Sequence, residues 1–175
     1  MGTALIRLAG AEDIAAVARI YEELHDAEEA GAQTIGWVRG VYPAASVAEA
    51  ALKRGDLFVL EDGEVLGAAI INRIQVDCYH GAPWENAASD DEVCVLHTLV
   101  ISPRAAGRGY GKRFVRFYEA HARALGCTEL RMDTNARNTR ARAMYAGLGY
   151  REIAVVATVF NGIPNVELVL LEKGV

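Results

Sequence analysis

The sequence predicts an α/β fold built on a mixed, mostly antiparallel sheet, and three observations carry that prediction. Stretches of helical spacing alternate with short apolar runs of strand composition along the chain. Two turn pairs, Asp62-Gly63 and Asn161-Gly162, each separate apolar runs and so mark hairpins, which makes their flanking strands antiparallel neighbours. Between the hairpins, residues 95–112 read as a strand, a proline break, a glycine turn and the first turn of a helix.

Residues 3–8 read as the first strand. From about Glu12, the apolar residues Ile14, Val17, Ala18, Tyr21 and Leu24 recur at helical spacing, and Gly31 closes that helix. Its other face carries Glu12, Glu22, Glu23, Asp26, Glu28 and Glu29, which is either a solvated acidic face or a rail for a cationic substrate. Residues 33–43 are irregular. Ser46 is placed to cap a short helix that ends at Gly55. Residues 56–61 and 64–74 form the first hairpin, followed by a polar loop over 77–91 in which His80 reads as a surface residue.

Residues 95–101 are rich in β-branched and large apolar side chains, the composition of a buried strand. Pro103 ends it, because proline gives no N–H to a ladder. Phe114, Phe117, Tyr118, His121 and Leu125 place a helix from about Gly109 to Gly126. Residues 128–133 alternate as a strand, and 151–160 with 165–172 make the last hairpin around Asn161-Gly162.

The chain has 175 residues, 52% hydrophobic and 23% charged, which describes one soluble globular domain over 1–175 with a sizeable core. No apolar run approaches a membrane span, and the N-terminus lacks the form of a signal peptide, so no membrane partner and a cytoplasmic location are expected. Position 6 is Ile, which breaks the myristoylation pattern begun by Gly2. Three cysteines without C-x-x-C spacing suggest neither disulfides nor a zinc site, and no metal is expected. A net charge of −5 argues against nucleic acid as a partner.

Three glycines, Gly107, Gly109 and Gly111, leave the backbone free to curl with its amides bare where a helix begins. A helix N-terminus offers unpaired N–H groups and the positive end of the dipole, and Arg104, Arg108 and Lys112 add charge suited to a pyrophosphate. A P-loop would need Gly at 106 and Ser or Thr at 113, where this chain has Ala106 and Arg113. That disfavours a nucleotide-phosphate enzyme. A dinucleotide fingerprint needs G-x-G-x-x-G, whereas the spacing here is G-x-G-x-G. The pattern Arg/Gln-x-x-Gly-x-Gly is met in full by Arg104-Ala105-Ala106-Gly107-Arg108-Gly109.

With Leu99-Val100-Ile101-Ser102-Pro103 leading into that turn, the chain resembles the GCN5-related N-acetyltransferase (GNAT) superfamily. Ala106 departs from it, standing where many relatives carry Arg. A second family pattern, N-x-x-A-x-x-L-Y-x-x-x-G-F/Y, is matched by Asn138, Ala141, Met144 in place of Leu, Tyr145, Gly149 and Tyr150. The resemblance covers nearly the whole chain, with its specific motifs confined to 95–150. It implies the acyl-CoA N-acyltransferase type of sheet, twisted and flanked by helices on both faces.

The resemblance also implies transfer of an acetyl group from acetyl-CoA, as co-substrate, to a primary amine on a small molecule or peptide, directly within a ternary complex. The cofactor site would comprise Leu99, Val100, Ile101, Arg104, Gly107, Arg108, Gly109, Tyr110, Gly111 and Lys112, with Asn138 either capping its helix or touching the cofactor arm. Tyr145 would protonate the departing sulfur. For the base, His97 and Glu92 compete with a water chain that needs no dedicated residue. Trp37 and Tyr42 are either substrate contacts or core. Many relatives are homodimers, and the last two strands are the candidate interface. The alternative reading is a non-catalytic acyl-CoA-binding or regulatory domain, against which Tyr145 argues.

Overall fold

In a computed structural model, which describes residues 4–175, a seven-stranded sheet runs in the order β1-β2-β3-β4-β5-β7-β6. The strands are β1 (Leu5–Leu8), β2 (Leu57–Glu61), β3 (Val65–Asn72), β4 (Val93–Ile101), β5 (Glu129–Asn135), β6 (Arg151–Phe160) and β7 (Ile163–Gly174). The helices are α1 (Ile14–Glu29), α2 (Ala45–Arg54), α3 (Tyr110–Ala124) and α4 (Thr139–Gly147). Gly2 and Thr3, read above for the myristoylation pattern and the first strand, lie outside the described residues. Among the described residues, no helix is long and apolar enough to cross a membrane.

Every neighbouring pair of strands is antiparallel except β4 and β5, which are parallel. A parallel pair needs a crossover, and α3 supplies it. One sheet face packs Leu96, Leu130 and Met132 against Phe114, Val115 and Tyr118 of α3. The opposite face packs Val59, Ala68, Ile70 and Val100 against Val17, Ile20, Tyr21 and Leu24 of α1 and Ala48 and Ala51 of α2. Burying each of these large side chains contributes about 2 kcal/mol, so both helical layers are held by their apolar stripes.

Two sequence expectations shift. Ser46 lies inside α2, whose N-cap is Ala44 with no side-chain bond, while Gly55 ends the helix in the left-handed region at φ 77° as expected. The 77–91 segment is no plain polar loop: Tyr79 is fully buried in it, with Trp84 packed edge-on at 5.2 Å. That segment covers the sheet face over β4, β5 and β7, where α1 and α2 do not reach.

Candidate active site

β4 and β5 stay paired only from Val93↔Glu129 to Leu96↔Met132. Beyond that point β4 remains on β3 and β5 remains on β7, so the two strands part and leave a wedge in mid-sheet. At the start of the wedge, Thr98 has φ 48°, a region costly for a β-branched residue, and Thr98 and Leu99 together oppose the single Ala69. The Thr98 hydroxyl is hydrogen-bonded to the Tyr42 hydroxyl, so the bulge is held from outside the sheet.

The wedge opens into a cleft of about 810 Å³. Its floor is β4 from Leu96 to Ile101 and β5 from Asp133 to Asn135. One end is the glycine turn, where Gly107 (φ 82°) and Gly109 (φ 76°) adopt left-handed conformations that favour glycine. Among the described residues, the N–H groups of Gly107, Gly109, Tyr110, Gly111 and Lys112 have no hydrogen-bond acceptor, and that of Arg108 has only a 3.4 Å contact to Ala105 O. These amides converge at the positive end of α3, which is the chemistry a diphosphate requires.

Leu99, Val100, Ile101, Gly107, Gly109, Tyr110, Gly111, Lys112 and Asn138 all line this cleft. Asn138 also caps α4, accepting from Ala141 N at 3.2 Å, so both of its expected roles are open to it. Two cationic candidates are not among the residues lining the cleft. Arg104 turns away from the turn, bonded to Glu23 at 2.9 Å and Glu64 at 2.8 Å. Arg108 points outward, exposed, with its guanidinium 3.9 Å from Asp62. Their charge was legible in sequence, but the ion pairs that claim Arg104 arise from α1 and the first hairpin.

Tyr145 lies on α4 with its ring buried and its hydroxyl free of hydrogen bonds among the described residues, lining the cleft. Burial, and then the nearby Asp133 charge, hold its hydroxyl well above the ordinary phenol range. A phenol so placed keeps its proton until a stronger base develops beside it.

His97 also lines the cleft, but its hydrogen bonding limits it. Its Nε2 is 2.9 Å from Asn72 Oδ1, and that oxygen also accepts from Ile74 N, while Asn72 Nδ2 donates to Asp56. The amide is therefore oriented with its oxygen toward the ring, and Nε2 must carry a hydrogen. Burial pushes the imidazole down to about 4.

Glu92 is a correction. It sits exposed at the opposite end of β4, where its carboxylate accepts from Ser89 N at 2.9 Å and Ser89 Oγ at 2.7 Å in a capping box. The acidic face of α1 is likewise engaged. Arg39 bonds Glu22, Asp26 and Glu29, and Glu28 accepts from Ile35 N and Gly36 N, pinning the segment that walls the cleft.

Trp37 and Tyr42 both stand at that wall, 6.0 Å apart edge-to-face. Gly36 makes the wall's close approach: a Cβ there would meet Asn135 Nδ2 at 2.2 Å. Sequence reasoning missed Asp133, which ended a strand without any motif around it. Its carboxylate lines the cleft and accepts from Tyr79 Oη at 2.7 Å. Burial raises it to about 6, the Tyr79 hydrogen bond pulling the other way.

The sequence pattern of the acetyltransferase (GNAT) family matches residues 17–150. Aminoglycoside N(6')-acetyltransferase type 1 of Klebsiella aerogenes is 32% identical over 100 residues, a stretch covering 56% of this chain and 59% of that enzyme. The match thus spans about three fifths of that relative. Two solved structures share the fold over almost the whole chain. Ribosomal-protein-alanine N-acetyltransferase from Brucella melitensis superposes with a TM-score of 0.73 at 21% identity, covering 98% of this chain and 99% of that one. YncA from Salmonella typhimurium, with its cofactor acetyl-CoA, gives 0.70 at 17% identity, covering 98% and 93%. The class defined by this sheet and cleft is the acetyltransferase one, and the chain belongs to the GNAT family.

Proposed function

We propose that the protein is an acetyl-CoA-dependent N-acetyltransferase that moves the acetyl group directly to a primary amine. The observation carrying this reading is the set of bare amides at 107 and 109–112, opening onto the same cleft as the free hydroxyl of Tyr145. Bound there, acetyl-CoA would supply the activated acyl group as a thioester.

The chain's own residues do the rest. The amides and Lys112 anchor the diphosphate at one end, so that binding energy positions the thioester at the other. The free edge of β4 offers main-chain N–H groups beside the wedge, suited to hold the oxyanion of the tetrahedral state. Tyr145 gives its proton to sulfur as charge builds there. Cys94 offers no covalent route: it is buried under α3 and burial pushes its thiol up to about 12.

Similarity to an aminoglycoside acetyltransferase and the fold of an alanine N-acetyltransferase both support an amine acceptor. The test is release of free thiol from acetyl-CoA with a panel of amines, run beside calorimetric titration with CoA and ATP. Amine-dependent thiol release with CoA binding is the expected result. CoA binding without turnover on any amine would leave the non-catalytic binding domain instead, and binding of ATP alone would remove the cofactor assignment.

A further inference from the structure

The cleft has an acceptor end as well as a phosphate end, and among the described residues it sets one carboxylate among apolar and uncharged polar side chains, Thr34, Asn135 and Asn161 included. Its walls there are Trp37, Tyr42, Phe160, Ile163, Val166 and Leu168, which belong to one apolar cluster on the sheet face below the 77–91 segment. Among the described residues lining the whole cleft, Asp133 is the single carboxylate. Among the described residues, no Lys, Arg or His forms an ion pair with it: its one side-chain bond is from Tyr79, itself fully buried. A half-buried carboxylate with no cation beside it is held at a cost, and an ammonium group delivered into the cleft would offset that cost.

We propose that this end of the cleft selects an amine bearing one positive charge on an apolar or aromatic body, with the Asp133 carboxylate, held in place by Tyr79, as its ammonium anchor. The proposal rests on the acetyl-transfer reading above and deepens it. A polyamine or amino sugar would find no second carboxylate for its further ammonium groups among the described residues lining the cleft, and would meet Trp37, Phe160 or Ile163 instead. Discrimination therefore comes from what the walls refuse as much as from what Asp133 attracts. The acidic face of α1 does not repair this, because Arg39 and the 35–36 amides occupy its carboxylates.

Asp133 is also placed to take the proton that the ammonium must lose before its nitrogen can attack. The nitrogen then forms the N–C bond as the C–S bond breaks. Of the two protons it sheds, one reaches solvent through Asp133 and the other balances the one Tyr145 gives to sulfur. The titratable groups facing Asp133 are Tyr79 and Cys78 of the 77–79 turn, Tyr42, Tyr145 of α4 and His97 of β4. Burial pushes up Tyr79, Cys78, Tyr42 and Tyr145, and the Asp133 charge adds to the rise in each. With its carboxyl raised to about 6, Asp133 is a fair proton acceptor at neutral pH.

The experiment compares 2-phenylethylamine, spermidine and kanamycin as acceptors for the wild type, Asp133→Asn and Tyr79→Phe, alongside titration of the CoA-loaded protein with 2-phenylethylamine. Expected are a kcat/KM for 2-phenylethylamine at least tenfold above both polycations and a fall of about 100-fold in Asp133→Asn. That variant should also lose the acid limb near pH 6 and bind 2-phenylethylamine at least tenfold more weakly, with CoA affinity unchanged. Tyr79→Phe should raise KM more than it lowers kcat. Equal or better turnover of the polycations, or full activity in Asp133→Asn, would overturn the proposal. If no amine turns over, the enzymatic reading fails by itself. The anchor is then decided by titration: Asp133-dependent binding upholds it, and absence of binding rejects it.

Discussion

Asn72 fixes the imidazole of His97 by a 2.9 Å hydrogen bond to Nε2, and Asp56 and Ile74 N fix Asn72 in turn. The ring is thus a neutral donor braced from β3, which suits a wall of the cleft better than a base. Because burial holds its protonation near 4, NMR titration should show His97 neutral down to about pH 5. A depressed value means stability that is present above the ordinary 6.5 and lost as pH falls toward 4. His97→Gln should therefore lower kcat/KM less than tenfold and flatten the loss of Tm between pH 6.5 and 4. A tenfold or larger loss, with a limb at pH 6.5 that disappears, would restore His97 as the base.

For Tyr145, replacement by Phe keeps the buried ring and removes only the proton. The expected effect is a fall in kcat of roughly 100-fold with acetyl-CoA KM within about threefold, as loss of a group acting only in the transition state requires. Steady-state thiol release measures both, and unchanged kcat would take Tyr145 out of the reaction.

Gly109 combines a left-handed φ of 76° with open space around a would-be Cβ, so Gly109→Ala costs conformation alone. That cost is about 1–2 kcal/mol, shared between stability and the geometry of the amide cradle. We expect Tm to fall by a few degrees and the Kd for CoA to rise several-fold, read by thermal melting and calorimetry.

Asp133 makes a prediction about stability that is separate from activity. Its carboxyl is raised from about 3.8 to about 6, so its contribution is fully present below 3.8 and lost as pH rises through 6. The difference is about 3 kcal/mol. Asp133→Asn should melt several degrees higher than the wild type at pH 8, with the gap closing toward pH 4. A lower Tm for the variant at pH 8 would show that the charge is not held at a cost.

Much of this molecule was readable from the chain. The hairpins at Asp62-Gly63 and Asn161-Gly162, the helix spacing of α1 and α3, and the strand-to-glycine-turn signal are local, and each appears where it was expected. Tyr145, singled out by its motif spacing, lies on α4 and lines the cleft. Glu92 was misplaced for the opposite reason: its position along β4 looked favourable, but a strand has two ends, and the capping box with Ser89 puts it at the wrong one. Arg104 carried the right charge, but Glu23 and Glu64 hold it, partners 81 and 40 residues away. Asp133 had no local signal at all. It matters because β5 leaves β4 one residue earlier and because Tyr79 reaches it across 54 residues of chain. Only long-range placement makes it a feature of the cleft.

Tyr118 of α3 donates to the carbonyls of both Cys94 and Arg131, at 2.6 and 3.2 Å, and so clamps the short stretch where the two central strands still touch. The sheet is in effect two plates riveted along four residue pairs, with the reaction vessel lying in the gap beyond the last rivet. Bore and grip can therefore be retuned from underneath: a slightly bulkier or smaller group below that rivet line would widen or narrow the mouth while every wall residue stays unchanged.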